Sequence, residues 1–208
     1  MFHTDRYTCN VRNQRSIHSY IDNLFMQQSK LLPVRLDLGY KSNQTIAIHY
    51  AEWCHLSDLN HSPHAYLTRE QIIDYWNTFL NRLKWNHSTL LKDLVGYIWK
   101  IEYGQNKGVH YHVMLLFNGN KVCKDYYYAN EVGQLWLATT NGLGVYFNCS
   151  ADKQQYGDHN CLKVTHRHDN RENLYYASRY FAKVDNNEHI ARYFSNGRIL
   201  GKGCQLPT

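Results

Sequence analysis

No two cysteines of this 208-residue chain stand at CxxC spacing. The six, Cys9, Cys54, Cys123, Cys149, Cys161 and Cys204, are scattered. That excludes the common zinc modules and gives no disulfide framework. A chain of this length buries a core without staples, so free thiols in a reducing compartment are expected. No apolar run approaches the about 20 residues that a membrane span needs. The opening MFHTDRYTCN lacks a basic segment followed by an apolar one. A secretory signal is therefore not expected, and a cytoplasmic location is. Internal repeats, linkers and low-complexity tracts are also missing, which excludes repeat architectures.

What the sequence has in excess is tyrosine, 18 copies against 7 of phenylalanine. A phenol offers a stacking face and a polar tip, which suits wet binding surfaces as well as cores. The formal net charge is +6, from 23 Lys+Arg and 17 Asp+Glu, and fits a polyanionic partner such as nucleic acid.

Residues 1–13 are polar and read as a frayed end. Ile17, Tyr20, Ile21, Leu24 and Phe25 recur at helical spacing, which predicts a helix from Ser16 to Leu31 closed by Pro33. VRLDLGYK (34–41) alternates as a strand, and TIAIHY (45–50) is its expected hairpin partner. Thr68 and Gln71 form a capping box for a helix that buries Ile72, Trp76, Phe79 and Leu83. LVGYIWKIEYG (94–104) and VHYHVMLLFNG (109–119) flank the turn GQNKG and read as paired strands. A helix is expected over 124–138, and one or two strands over 142–165, with CLKVTH the better candidate. Asp169, followed by Glu172, is expected to cap the next helix. The tail from Ala191 is basic and reads as irregular. Together these predict an α+β fold, a mainly antiparallel sheet with flanking helices. Residues 1–32 would be an N-terminal helical extension, and 33–208 the main domain.

His110 and His112 are two apart in a strand, so both imidazoles project from one face. They share it with Met114 and Leu116, while Val109, Tyr111, Val113, Leu115 and Phe117 make a core stripe on the other. Glu102 lies on the preceding strand, just before the turn, and can oppose the histidines. Two imidazoles and a carboxylate suit a catalytic Mg²⁺ or Mn²⁺, and zinc takes the same donors. The cluster Cys54, His55, His61 and His64 matches no zinc module and reads as a polar loop.

NLYYASRYFAKVD (173–185) reads as one helix. Tyr176, Tyr180 and Lys183 would share a stripe, separate from the packing stripe Leu174, Ala177, Phe181 and Val184. An ordinary phenol, with a pKa of about 10, is a poor nucleophile at neutral pH. A metal that polarises a phosphate, and an ammonium that favours the phenolate, would remedy that. Tyr175 falls off the stripe.

A His-x-His strand followed by Tyr-x3-Tyr-x2-Lys resembles the HUH endonuclease superfamily. YASRYFAK (176–183) resembles the two-tyrosine motif of phage rolling-circle replication initiators. KGVHYHVMLLFNG and LYYASRYFAKVD also resemble the inovirus gene-two-type family, which includes the YagK/YfjJ-type C-terminal domain. The resemblance implies a five-stranded antiparallel sheet with flanking helices, that His110 and His112 hold the metal, and that Tyr176 and Tyr180 are paired nucleophiles with Lys183 beside them. It implies a nickase in a bacterial host that opens one strand at a phage or prophage origin, leaving a 3′-OH and a 5′-phosphotyrosine. Host helicase and polymerase would be partners, since no helicase module fits in this length. The chain departs from the pattern at Tyr111, where an aliphatic residue is common.

A single-stranded substrate calls for cations and stacking aromatics. Lys107, Arg167, His168, Arg171 and Arg179 lie near the two motifs in sequence, and Arg198 and Lys202 stand in GRILGKG. Two other classes keep parts of this pattern. A non-catalytic DNA-binding prophage protein needs only the basic surface, and a metal nuclease using water needs no tyrosine.

Overall fold

The computed structural model describes residues 8–41, 67–85, 90–104, 107–156 and 163–203. The fold is α+β, an antiparallel sheet with helices on both faces. In chain order the elements are α1 (Val11–Gln27), β1 (Lys30–Tyr40), α2 (Arg69–Trp85), β2 (Leu94–Gly104), β3 (Gly108–Asn118), α3 (Asp125–Thr139), β4 (Gly144–Asn148), β5 (Thr165–His166), α4 (Arg171–Ser178), α5 (Glu188–Tyr193) and β6 (Leu200–Gly203). 3-10 segments cover Cys149–Tyr156 and Arg179–Ala182. Five strands run in the order β4-β1-β3-β2-β6, and the two-residue β5 also pairs with β1, making a sixth. None of the described helices is long and apolar enough to cross a membrane.

The alternation seen in the sequence of β3 divides the core in two. Val109, Tyr111, Val113, Leu115 and Phe117 enter one apolar cluster with Trp76 and Phe79 of α2 and Trp136 of α3. Tyr111 stacks on Trp76 with ring centroids 3.9 Å apart. Met114 and Leu116 enter a second cluster with Ile17, Ile21 and Phe25 of α1 and Leu174 and Phe181 of the tyrosine segment. Each fully buried Leu, Ile or Phe contributes about 1.5–3 kcal/mol. The Thr68 capping box forms in both directions, Thr68 N–H to Gln71 Oε1 at 2.8 Å and Gln71 N–H to Thr68 Oγ1 at 3.2 Å.

Several expectations need correcting. Residues 8–13 are ordered into structure: Cys9 bridges Lys183, and α1 starts at Val11 with Asn10 as its cap. The helix ends at Gln27, and Pro33 lies inside β1, opposite Leu116. β5 pairs only Lys30 and Leu31, and β4 begins its pairing at Leu36. Pro33 falls in the gap between them, where a residue without an N–H removes no ladder bond on that edge. The expected hairpin partner of β1, residues 45–50, lies outside the described residues, as do Cys54, His55, His61 and His64. Both edges of Leu36–Gly39 are already occupied, by β3 and β4. Of CLKVTH, residues 161 and 162 lie outside the described residues, and among 163–166 only Thr165–His166 is strand. Asp169 does not cap α4. Asn170 holds that position in the left-handed region (φ 48), with its side chain accepting from His166 N–H at 3.1 Å. The tail contains the end of α5 and the strand β6. A Cβ at Gly201 would lie 2.4 Å from the Trp99 indole, so glycine is what lets β6 pass beneath that ring. The described cysteines Cys9, Cys123 and Cys149 are free thiols.

Candidate metal centre

The register of β1, β2 and β3 builds the site. His112 lies between Lys100 on β2 and Asp37 on β1. One pleat along, His110 lies between Glu102 and Gly39. Directly paired residues of antiparallel strands share a face, so these two rows stand side by side. The same face turns apolar at Met114 and Leu116, where α1 covers it.

Both imidazoles have one nitrogen committed. His112 Nδ1 lies 2.6 Å from Asp37 Oδ1, and His110 Nδ1 lies 3.0 Å from the Gly108 carbonyl. Each acceptor requires a donating Nδ1–H, so Nε2 of each ring faces inward and, when it carries no proton, offers its lone pair to a cation. Glu102 Oε2 lies 3.4 Å from His112 Nε2 and 3.9 Å from His110 Nε2. All three donors fall within 4.8 Å of one another. Neighbouring donors around a small octahedral cation sit about 3 Å apart, so modest contraction closes this set on Mg²⁺ or Mn²⁺. Glu102 is 5% exposed and His112 7%. The residues fit a divalent cation.

Lys100 was not apparent as a site residue from the sequence. It is 1% exposed, and its Nζ donates to Glu102 Oε1 at 2.6 Å and to the Lys183 carbonyl at 2.8 Å. It thereby fixes one carboxylate oxygen and leaves the other toward the histidines. Asp37 was missed as well. Both stand on the site face of strands whose opposite face is apolar. Two polar residues on that face of β1, Arg35 and Asp37, and a Lys-x-Glu pair on β2 were the available signals.

The tyrosine segment is not one helix. α4 ends at Ser178, a 3-10 turn carries Arg179–Ala182, and Lys183 is extended (φ −55, ψ 134). Residues 8–10 capture its end: Asn10 N–H donates to the Ala182 carbonyl at 2.8 Å and Val184 N–H to the Thr8 carbonyl at 2.8 Å. Phe181 is buried in the second cluster. Tyr180 instead meets the site. Its hydroxyl lies 3.2 Å from His112 Nε2 and its ring is edge-on to the imidazole at 4.7 Å. Lys183 Nζ lies 5.6 Å over the Tyr180 ring and 3.8 Å from Glu102 Oε2. Tyr176 stands on α4, 38% exposed. Tyr175 is tied to Asp22 and Arg171 and stacks on His18. Burial, with the Asp22 hydrogen bond, pushes its phenol up to about 12, away from any nucleophilic role.

The cations named from the sequence divide by placement. Arg171 is paired with Asp22, Arg167 donates to the Met26 carbonyl at 3.3 Å, and Lys202 donates to the Ser16 carbonyl at 2.7 Å. These three hold α4, β5 and β6 to α1. Lys107 and Arg198 are exposed, Arg179 is half-buried, and Lys107 acts electrostatically on both Asp37 and His110.

The protonation states follow from burial and partners. Burial opposes the charge of Glu102, but hydrogen bonds from His112 and Lys100 outweigh it and hold the carboxyl well below its ordinary range. Burial depresses His110. Burial would depress His112 too, but the Asp37 and Glu102 carboxylates raise it above its ordinary value. A cation needs the neutral imidazole, so it must displace a proton from His112 but none from His110 near neutrality. Metal affinity is therefore expected to rise by up to about tenfold per pH unit until the raised His112 value is passed, then to level off. Titration calorimetry with Mn²⁺ at pH 6.5, in buffers of different ionisation enthalpy, should show about one proton released. A pH-independent affinity between 5.5 and 7.5 would contradict this. Asp37→Asn should weaken Mn²⁺ binding about 10–100-fold by loosening the His112 tautomer and ring.

The model for the YagK/YfjJ C-terminal domain matches residues 3–198. The chain belongs to the YagK/YfjJ C-terminal domain family. No curated protein and no solved structure shows significant similarity to it. The matched span takes in every side chain of this YagK/YfjJ-family centre, and also α1 and the strand-like residues that hold Lys183.

Proposed function

We propose that this YagK/YfjJ domain is a site-specific, metal-dependent single-strand DNA nickase and strand transferase of the HUH type, serving rolling-circle replication of a phage or prophage. The observation that carries the reading is the Tyr180 hydroxyl, 3.2 Å from His112 Nε2 at the edge of a buried Glu/His/His set. Glu102, His110 and His112 would hold Mg²⁺ or Mn²⁺. When bound, such a cation polarises a phosphodiester and orients it for in-line attack. Tyr180 supplies the nucleophile and Lys183 favours its phenolate form. The phenol gives up its proton, its oxygen bonds to phosphorus, and the bond from phosphorus to the 3′ oxygen breaks. That oxygen takes up a proton and leaves as a free 3′-OH, with the 5′ side held as phosphotyrosine. In this reading Tyr176 acts in a later transfer.

The substrate is unpaired or locally melted origin DNA, with host helicase and polymerase as partners in the bacterial cytoplasm. The test is a covalent-adduct assay with single-stranded origin DNA and Mn²⁺. A denaturation-resistant adduct that disappears in His110→Ala supports the nickase. Cleavage without an adduct would assign the centre to a nuclease using water. Binding without cleavage, across several origins and metals, would leave a DNA-binding protein that keeps the fold.

A further inference from the structure

The face that carries the metal set is covered unevenly. At the β2–β3 end, α1 and the tyrosine segment pack on Ile98, Met114 and Leu116. At the other end the sheet runs through β1 to β4, the last strand of the main path. Phe147 pairs with Asp37, and Val145 with Gly39. Both side chains therefore continue the two rows that hold His112 and His110. Tyr146, between them, points the opposite way, against Gly133 of α3. Phe147 is 43% exposed and Val145 42%. Gly39 has no side chain to separate them from the site: a Cβ there would be 3.6 Å from Val145 and 3.7 Å from the His110 Cβ.

Two adjacent apolar side chains rarely stay open on a strand at the end of a sheet, because they invite association. These two lie about two strand spacings, or roughly 10 Å, from the histidines. Arg35, two residues from Asp37 on the same face, and Lys107 both act on the Asp37 charge. The approach to the metal centre thus combines an aromatic ring with cations, which is the chemistry that receives an unpaired nucleotide. A substrate reaching the site from the helix-covered end would have to displace α1.

Accepting the nickase reading above, we infer that Phe147 and Val145 form a stacking subsite for an unpaired nucleobase flanking the scissile phosphate, with Arg35 and Lys107 toward the backbone. The subsite is sequence-tolerant, since every base has a π-face, and it makes binding of single strands independent of the metal.

The experiment is fluorescence anisotropy of the full chain with a labelled, mixed-sequence single-stranded oligonucleotide in EDTA. Phe147→Ala should weaken binding about five- to a hundredfold, leave the slope of affinity against salt unchanged because no phosphate contact is lost, and leave the melting temperature unchanged because the ring is open to solvent. Phe147→Trp should restore binding. Sedimentation of the same variants reports whether the patch instead seats a second copy of the chain. Unchanged oligonucleotide binding in Phe147→Ala, or an altered oligomeric state, would overturn the subsite and leave the nickase standing if the adduct still forms. A wild-type chain that binds no single strand would overturn both.

Discussion

Tyr180→Phe should eliminate the DNA–protein adduct and lower strand cleavage by about a thousandfold or more, the scale on which removing a covalent nucleophile acts. The substitution takes away one oxygen and keeps the ring edge-on to His112. The cost in stability is that of one hydrogen bond to His112 Nε2, about 1 kcal/mol. Metal affinity should be nearly unchanged, because Asp37 still sets the His112 tautomer. Tyr176→Phe should behave differently. Its ring stands on α4, before the 3-10 turn that brings Tyr180 to the metal set, so first-strand cleavage should persist and only re-joining of the strand should suffer. Tyr175→Phe should cost stability through the lost contacts to Asp22 and Arg171 without changing the chemistry. The measurement is the yield of adduct on a denaturing gel for the three variants, with Mn²⁺ binding followed in parallel. An adduct that survives Tyr180→Phe and is lost in Tyr176→Phe would transfer the nucleophile to α4.

The metal set was legible because strand periodicity is rigid. Once VHYHVMLLF is a strand, both histidines must share a face, and the short turn puts Glu102 directly opposite His110. The same rule correctly divided β3 between two apolar clusters. The tyrosine segment was less legible. Helical spacing aligns Tyr176, Tyr180 and Lys183, but the chain tightens to 3-10 at Arg179 and then pairs with residues 8–10. That pairing joins residues about 170 positions apart, and no local pattern announces it. The same holds for Asp37 and Lys100, whose roles depend on which strands flank β3. Pro33 misled because a proline commonly ends a helix, whereas here it fits an unpaired stretch of strand edge. The glycines of GRILGKG read as irregular chain, yet Gly201 is required by the Trp99 ring that crosses it.

Lys100→Met should destabilise the metal-free protein by about 3 kcal/mol, the lower end of what breaking a buried ion pair costs. The lower end applies because Glu102 keeps His112 and Lys183 nearby. The side chains of Lys100 and Glu102 are only 2% and 6% exposed, so water cannot take over the missing partner. A cation bound by Glu102 supplies the charge that the ammonium supplied, so saturating Mn²⁺ should recover part of the loss. Recovery should not extend to cleavage. Lys100 also holds the Lys183 carbonyl, at the end of the segment that positions Tyr180, and an apolar Met side chain cannot. Adduct formation should therefore stay slow at saturating metal. The double variant Lys100→Met/Glu102→Leu replaces both charges with apolar groups of similar volume, and such replacement of a buried pair is often neutral or stabilising. It should regain most of the stability in urea denaturation while binding no Mn²⁺. That crossing of stability and metal affinity separates a pairing role for Lys100 from simple packing: a packing role would leave the double variant at least as unstable as Lys100→Met. A Lys100→Met protein within about 0.5 kcal/mol of wild type, a change typical of surface sites, would show that the ammonium is not what balances Glu102.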